Sequence, residues 1–209
     1  FERRLEDVEN AIKLVFASIY SPESRAYFNA IDYMIEEEKM AVIIQEVIGN
    51  EHNGRYYPEI SGVAQSYNFY PFSYIQPEDG FAVTAIGLGA YVVGGEKTHR
   101  FSPAYPKLQL ASTQDKIKAS QRYFYGVNML AQDYDLYRDG ENAAIKAYDI
   151  SEAERDGTLE YTASVYDFMN DQITYDFSVK GPRIVDFSKI LQYDYFPLAP
   201  TLQILLNIF

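Results

Sequence analysis

Apolar side chains near the beginning of the chain recur three and four positions apart, at Leu5, Val8, Ile12, Val15 and Ile19. This spacing predicts a helix from about Leu5 to Tyr20. Ser21 can serve as the N-cap of a second helix, since Pro22 and Glu23 suit its first turn. We therefore expect a helix pair, with the second helix over residues 22–35.

The next apolar segments have the composition of strands. Met40–Ile48 is rich in Val and Ile and predicts a largely buried strand, which a Gly- and Asn-rich turn ends. Ser61–Tyr67 is predicted to be its hairpin partner, and Phe81–Ile86 a third strand. These segments predict an antiparallel sheet beside the helix pair.

Beyond Pro106 the pattern changes to short tyrosine-rich runs, and Arg122–Val127 and Leu159–Tyr166 are predicted strands. A helix is predicted over residues 197–209, and we expect its leucine face to pack on the sheet that contains Ser61–Tyr67 or Met40–Ile48. The predicted fold class is α+β. The predicted division is a core over residues 1–106 and a β-rich extension over residues 107–209, whose last helix returns to the core.

Composition and charge exclude several classes of function. Thirty acidic and eighteen basic residues give a net charge of −12, which opposes binding to nucleic acid. The absence of cysteine excludes disulfides and thiolate metal sites. Apolar runs of about five residues are far below the roughly twenty that span a bilayer, so no membrane partner is expected. Because the chain begins with Phe1, we expect it to be a piece of a longer polypeptide.

Four motifs follow one another along the chain: VFASIYS with RAYF (residues 15–21 and 25–28), MAVIIQEVI (40–48), ISGVA with YN (60–64 and 67–68), and AIGLG with VV (85–89 and 92–93). In this order they resemble the ATP-grasp region of the phosphoenolpyruvate synthase and pyruvate phosphate dikinase family, which implies that residues 1–106 are a partial nucleotide-binding core. The resemblance is clearest over residues 11–106. Residues 107–209 resemble, more loosely, a long form from Bacteroidetes-type bacteria.

This resemblance implies an ATP-grasp-like partial domain of a cytoplasmic phosphotransferase. The intact enzyme would use ATP and Mg²⁺ to phosphorylate pyruvate through a phosphohistidine domain, giving phosphoenolpyruvate, AMP and phosphate. The implied nucleotide contacts lie on the adenine strand, in the glycine turns and at two arginines: Gln45, Glu46, Val47, Gly62, Gly87, Gly89, Arg25 and Arg100. A core strand, an ordinary tight turn and solvated arginines are the alternative interpretations of these residues.

Departures from the family pattern indicate that catalytic and metal-binding residues are missing from this chain. Ala90 stands where the family has Glu, and the family's D-I-E and Q-x-R-P motifs do not occur. Thr98-His99-Arg100 does not match the phosphocarrier motif T-x-H-A, so His99 and His52 are predicted to be surface residues. We expect the isolated chain to be inactive. A non-catalytic, degenerate ATP-grasp binding module is the alternative function.

Overall fold

The computed structural model describes residues 2–32, 34–108 and 111–208. The chain divides into two compact units, each assembled from separate stretches of sequence. The helical unit comprises residues 1–47 and 131–144, and the sheet unit comprises residues 48–130 and 145–209.

The helices are α1 (Glu2–Ala17), α2 (Pro22–Ala30), α3 (Ala90–Val93), α4 (Thr113–Ala119), α5 (Leu136–Asp139), α6 (Ile150–Arg155), α7 (Leu159–Thr162), α8 (Ser188–Tyr193) and α9 (Leu198–Leu206). The strands are β1 (Asn50–His52), β2 (Arg55–Tyr57), β3 (Ser61–Gln65), β4 (Phe81–Ala85), β5 (His99–Phe101), β6 (Tyr123–Asn128), β7 (Ile145–Asp149), β8 (Ala163–Asp167), β9 (Gln172–Thr174) and β10 (Arg183–Val185). This mixture of helices and antiparallel sheets confirms the α+β fold class.

The helical unit contains the predicted helix pair. Ser21 caps α2, because its hydroxyl accepts a hydrogen bond of 3.2 Å from the backbone N–H of Ser24. Helix α2 ends at Ala30, before the predicted Ile35. Helix α5 joins the same unit through the Tyr137 hydroxyl, which donates to Asn10 at 3.0 Å on α1.

The strand predicted over Met40–Ile48 is wrong. Residues 38–49, all within the described part of the chain, form neither helix nor strand, and Ile43 is 82% exposed. Apolar composition favours burial, but a strand also needs a neighbouring strand for its backbone hydrogen bonds. Its expected partner was Ser61–Tyr67, of which residues Ser61–Gln65 instead pair with Phe81–Ala85.

The described residues of the sheet unit form three antiparallel sheets, with strand orders β3-β4-β5, β1-β2-β6-β7 and β10-β8-β9. The predicted strands at 61, 81 and 122 are therefore present, whereas residues 159–162 form helix α7 before strand β8 begins. Strand β2 pairs with β6, so one sheet joins residues on both sides of position 106. The predicted division at that position stays a prediction.

The core of the sheet unit is aromatic and aliphatic, with Tyr57, Ile86, Phe124, Leu159 and Phe187 fully buried at its centre. Helix α9 contacts strand β3, and its Leu198 and Leu202 pack against this core. The prediction that the terminal helix packs on the sheet containing Ser61–Tyr67 is thus confirmed for these two leucines. Leu205 is 45% exposed, and Phe209 lies outside the described residues.

A polar network holds hairpin β1–β2 to the segment after α6. The Asp156 side chain, which is fully buried, accepts hydrogen bonds from Arg55 Nη2 at 2.6 Å, Tyr57 Oη at 2.8 Å and Asn53 Nδ2 at 2.7 Å. Arg55 also pairs with Glu152 at 3.2 Å. Because the Asp156 carboxylate has several donors, its burial is compensated.

Across the described ranges, none of the helices combines the length and the apolar character that a transmembrane segment requires.

Candidate functional site

The predicted nucleotide contacts fall in both units. Arg25, Gln45, Glu46 and Val47 are exposed residues of the helical unit. The other four belong to the sheet unit, where Gly62 lies on β3, Gly87 and Gly89 follow β4, and Arg100 lies on β5. The structure thus brings these four residues onto one three-stranded sheet and the turn that leaves it.

Strand register determines which side chains share a face of this sheet. Gly62 is opposite Thr84, and Thr84 is opposite His99, so the three form one row across the sheet. Since neighbours across antiparallel strands point to the same side, Thr84 and His99 face the side that also carries Ala82 and Phe101 of the core. Arg100 points to the opposite face, where its guanidinium lies 3.9 Å from the centre of the Phe81 ring.

Two of the three predicted glycines have structural reasons to be glycine. A Cβ on Gly62 would lie 2.2 Å from the carbonyl oxygen of Val83. Gly87 has φ of +86°, and its Cβ would lie 2.6 Å from the carbonyl oxygen of Tyr125. A Cβ on Gly89 would meet nothing within 4 Å beyond its chain neighbours, so packing does not require a glycine there.

An apolar groove of about 650 Å³ opens beside Gly62. Its walls come from the segment before β1, from strands β3 and β4, and from helices α7 to α9. Its lining residues include Ser61, Gly62, Tyr161 and Tyr195. Of the lining residues that the structure describes, Glu59 alone carries a charge, so the groove suits an uncharged, partly aromatic group rather than a phosphate.

Two features of the groove could recognise such a group. The rings of Tyr161 and Tyr195 stack with centroids 5.1 Å apart and planes 19° apart, which provides a flat aromatic surface at the rim. The Ser61 hydroxyl is buried and has no hydrogen-bond partner among the described residues. A buried hydroxyl without a partner is costly, so a ligand that supplies the partner gains from it.

A second, smaller cavity of about 280 Å³ lies beside strand β5. We call it the basic cavity, because Lys97, Arg100 and Lys116 line it. Its other polar lining residues include Thr84, His99, Asp115, Gln121 and Asp186. Thr84 lines both spaces, which therefore adjoin the same row of side chains on the sheet.

The sequence-based expectation that His99 is a surface residue is wrong. Its ring lies 6.0 Å from those of both Phe101 and Phe187. Burial lowers the pKa of His99 to about 4, against the opposing effect of Asp186 and with a further lowering by Lys116. The imidazole is therefore neutral at neutral pH. A single histidine in a sequence does not indicate whether its ring will be buried. The burial of His99 follows only from the strand pairing.

The acidic residues do not form a magnesium site in the part of the chain that the structure describes. No group of three or more His, Asp or Glu side chains converges there. Mg²⁺ prefers several oxygen ligands in near-octahedral geometry. These residues alone therefore do not fit a resident Mg²⁺ ion.

Comparison with known proteins gives one family. A family model described as "Pyruvate phosphate dikinase, AMP/ATP-binding domain" matches residues 2–164, which is most of the chain. No curated protein and no solved structure matches the chain significantly. The matched range contains strands β3, β4 and β5 and the Tyr161 side of the apolar groove.

Proposed function

Because the chain belongs to the pyruvate phosphate dikinase AMP/ATP-binding domain family, we propose that it supplies part of the ATP-binding region of a phosphoenolpyruvate synthase-type phosphotransferase. In this proposal the intact protein acts in the cytoplasm and converts ATP, pyruvate and water into phosphoenolpyruvate, AMP and phosphate. A phosphohistidine domain carries the phosphoryl group, as the sequence resemblance implies.

The apolar groove is the proposed position of the adenosine half of the nucleotide. The observation that carries this proposal is the combination of a groove of about 650 Å³, a stacked tyrosine pair and a buried hydroxyl without a partner in the described residues. In this arrangement Tyr195 stacks on the base and the Ser61 hydroxyl hydrogen-bonds to the base or the ribose. The assignment of Gln45, Glu46 and Val47 to the adenine rests on the resemblance alone.

The phosphates must lie outside the groove, because Glu59 would repel them and the groove lining provides no cation in the described residues. Arg25, Arg100, Gly87 and Gly89 are proposed phosphate contacts on the basis of the resemblance. Gly89 is the glycine whose Cβ position is open, so backbone there is accessible to a ligand.

The proposed contribution of this chain is to bind and orient nucleotide, not to transfer phosphate. When ATP is bound, it supplies the phosphoryl group. The described residues contain neither a converging acidic cluster nor the family's carboxylate motif, which the transfer of that group would need. We therefore expect no AMP formation from ATP and pyruvate by the isolated chain. Chain-dependent turnover in a coupled assay would contradict this.

A non-catalytic binding module is the second candidate function. The observation that favours it is Ala90, which begins α3 in an exposed position where a larger acidic side chain would fit. The loss of the family's Glu is thus not forced by packing. The Mg²⁺-dependent ATP affinity of an Ala90→Glu variant distinguishes the two functions. No gain in affinity favours the non-catalytic module, whereas a gain favours the ATP-binding site of an enzyme.

Substitution of one exposed tyrosine tests the groove directly. Tyr195 and Tyr193 are 64% and 65% exposed, but only Tyr195 is among the groove lining residues. Tyr193 instead packs edge-on against Tyr175, with ring centroids 5.5 Å apart. This pair offers the same truncation inside and outside the proposed site.

We expect Tyr195→Ala to weaken ATP binding by about tenfold, since stacking of a base on an aromatic side chain is worth roughly 1–3 kcal/mol. Tyr193→Ala should leave the affinity unchanged. Isothermal titration of the two variants with ATP measures the difference. Equal affinities in the two variants would remove Tyr195 from the site and with it the proposed position of the base.

A further inference from the structure

Asn53 and Gly54 form the tip of hairpin β1–β2 and are the one Asn-Gly pair in the sequence. We propose that Asn53 is a site of spontaneous deamidation. In this proposal the hydrogen bond from Asn53 to Asp156 keeps the reaction slow in the folded chain. Once the reaction has occurred, the product weakens the attachment of the hairpin to the segment after α6.

Turn geometry explains why this pair stands at the tip. His52 pairs with Arg55, so the loop has two residues, and their φ angles are +49° and +78°. Positive φ at both positions is typical of a type I′ turn, for which Asn-Gly is a favoured sequence. A Cβ on Gly54 would also lie 2.7 Å from the Leu130 side chain. The fold therefore favours glycine directly after Asn53.

Glycine also makes Asn53 reactive, because no side chain shields the backbone nitrogen of Gly54. That nitrogen forms a bond to Cγ of Asn53 while the Cγ–Nδ2 bond breaks. Nδ2 leaves as ammonia with the proton of the Gly54 N–H, and a succinimide ring results. One water molecule then opens the ring and gives aspartate or isoaspartate. Asn53 is exposed, so water reaches it.

The Asp156 carboxylate opposes this reaction in the folded chain. It accepts a hydrogen bond of 2.7 Å from Asn53 Nδ2, the atom that has to leave. Burial opposes the ionisation of Asp156, but the hydrogen bonds from Arg55 and its neighbours lower the pKa of this carboxyl. An ionised carboxylate has no proton to give to the leaving nitrogen. Attack on Cγ therefore requires that the amide first separate from Asp156.

Deamidation replaces the amide donor by a second carboxylate. This carboxylate would lie beside Asp156, whose side chain is fully buried, and two ionised carboxylates at such a distance repel each other. Arg55 is already shared between Asp156 at 2.6 Å and Glu152 at 3.2 Å, so it does not neutralise a third carboxylate. Isoaspartate also adds a methylene to the backbone of the two-residue turn. Both products should loosen the hairpin.

Peptide mass spectrometry tests the modification. The whole chain is incubated at mildly alkaline pH with and without urea, and the mass gain of the peptide that contains Asn53 is followed. We expect deamidation to be roughly 10- to 100-fold slower in the folded chain, because a hydrogen bond to a charged group has to open first.

Two variants separate the hydrogen bond from general stability. Asp156→Asn should speed up deamidation of Asn53 in the folded chain about tenfold, because the charged acceptor is lost. Gly62→Ala introduces a Cβ that would lie 2.2 Å from a backbone oxygen outside the network, so it controls for a general loss of stability. It should leave the rate unchanged.

Melting temperatures test the effect of the product. Asn53→Asp reproduces the aspartate product, whereas Asn53→Gly removes the same hydrogen bond without adding a charge and allows the positive φ. Asn53→Asp should melt lower than Asn53→Gly by about 2–4 °C, the shift that corresponds to one unfavourable charge pair in a chain of this size.

Three results would overturn the proposal. They are equal rates of deamidation at Asn53 in the folded and unfolded chains, equal acceleration by Asp156→Asn and Gly62→Ala, and equal melting temperatures of Asn53→Asp and Asn53→Gly. The absence of deamidation at Asn53 in the urea-unfolded chain would likewise exclude the site.

Discussion

Replacement of Ser61 by alanine separates a structural role of this residue from a ligand-binding one. The Ser61 hydroxyl is buried in the groove lining and has no partner among the described residues. Without ligand, its removal deletes an uncompensated polar group, whose burial costs about 1–3 kcal/mol. We expect the Ser61→Ala variant to be more stable than the parent chain by about 1 kcal/mol.

The same substitution should weaken ATP binding. A single neutral hydrogen bond contributes about 0.5–1.5 kcal/mol net, which corresponds to a loss of roughly two- to tenfold in affinity. Stability and affinity thus change in opposite directions. A residue with a purely structural role does not produce this combination.

Ser102→Ala is the matched control, because the Ser102 hydroxyl is also buried without a partner in the described structure but lines neither cavity. It should gain similar stability in urea denaturation and bind ATP as the parent chain does. Loss of stability in Ser61→Ala, or an equal change of ATP affinity in both variants, would refute the reasoning.

Three further predictions concern the sheet unit. Asp156→Asn should lower the free energy of unfolding by about 3 kcal/mol, because it removes the fully buried carboxylate that pairs with the nearly buried Arg55 guanidinium and leaves only the partner Glu152. Asp194→Asn, in an ion pair that is about two-thirds exposed, should change it by less than about 1 kcal/mol, and equal effects of the two variants in urea denaturation would contradict the network. Gly62→Ala should lower the free energy of unfolding by about 2 kcal/mol and Gly89→Ala by only a few tenths of a kcal/mol, since the new Cβ meets a backbone oxygen in the first case and open space in the second. Similar melting temperatures of the two variants would count against the strand register. His99 has a folded-state pKa of about 4, below the unfolded value, so the stability it contributes is present above about pH 6.5 and is lost, by up to about 3 kcal/mol, as the pH falls towards 4. The free energy of unfolding of His99→Gln should therefore depend less on pH over this window. An unchanged pH dependence would show that the ring is not buried in its neutral form.

Local signals explain which elements the sequence could predict. The helix at the start of the chain and the cap at Ser21 depend on residues a few positions apart, and both are present. Strand β4 is present for a similar reason, since Phe81, Ala82 and Val83 form a continuous apolar run. Met40–Ile48 is also rich in apolar residues but forms no strand, because composition carries no information on strand pairing.

Long-range contacts explain what the sequence could not predict. Arg55 and Asp156 are 101 positions apart, and no pattern near either residue indicates their pairing. The cavities likewise combine β3 to β5 with helix α8, which lies beyond the range where the resemblance was clear. Tyr195 therefore escaped the sequence-based selection of site residues, which relied on motifs in residues 11–106. Ser61, Thr84 and His99 lie within that range, but their place in the cavity walls depends on strand pairing, which the motifs do not show.

Hydrogen–deuterium exchange of the chain with and without ATP tests the central claim, that the apolar groove holds the adenosine half of the nucleotide. We predict that ATP slows exchange in residues 58–64 and 195–202, which supply lining residues on two sides of the groove. Loss of this protection in Tyr195→Ala but not in Tyr193→Ala would assign it to the groove. Protection confined to residues 97–100 and 184–192, around the basic cavity, or no protection at saturating ATP, would contradict the claim.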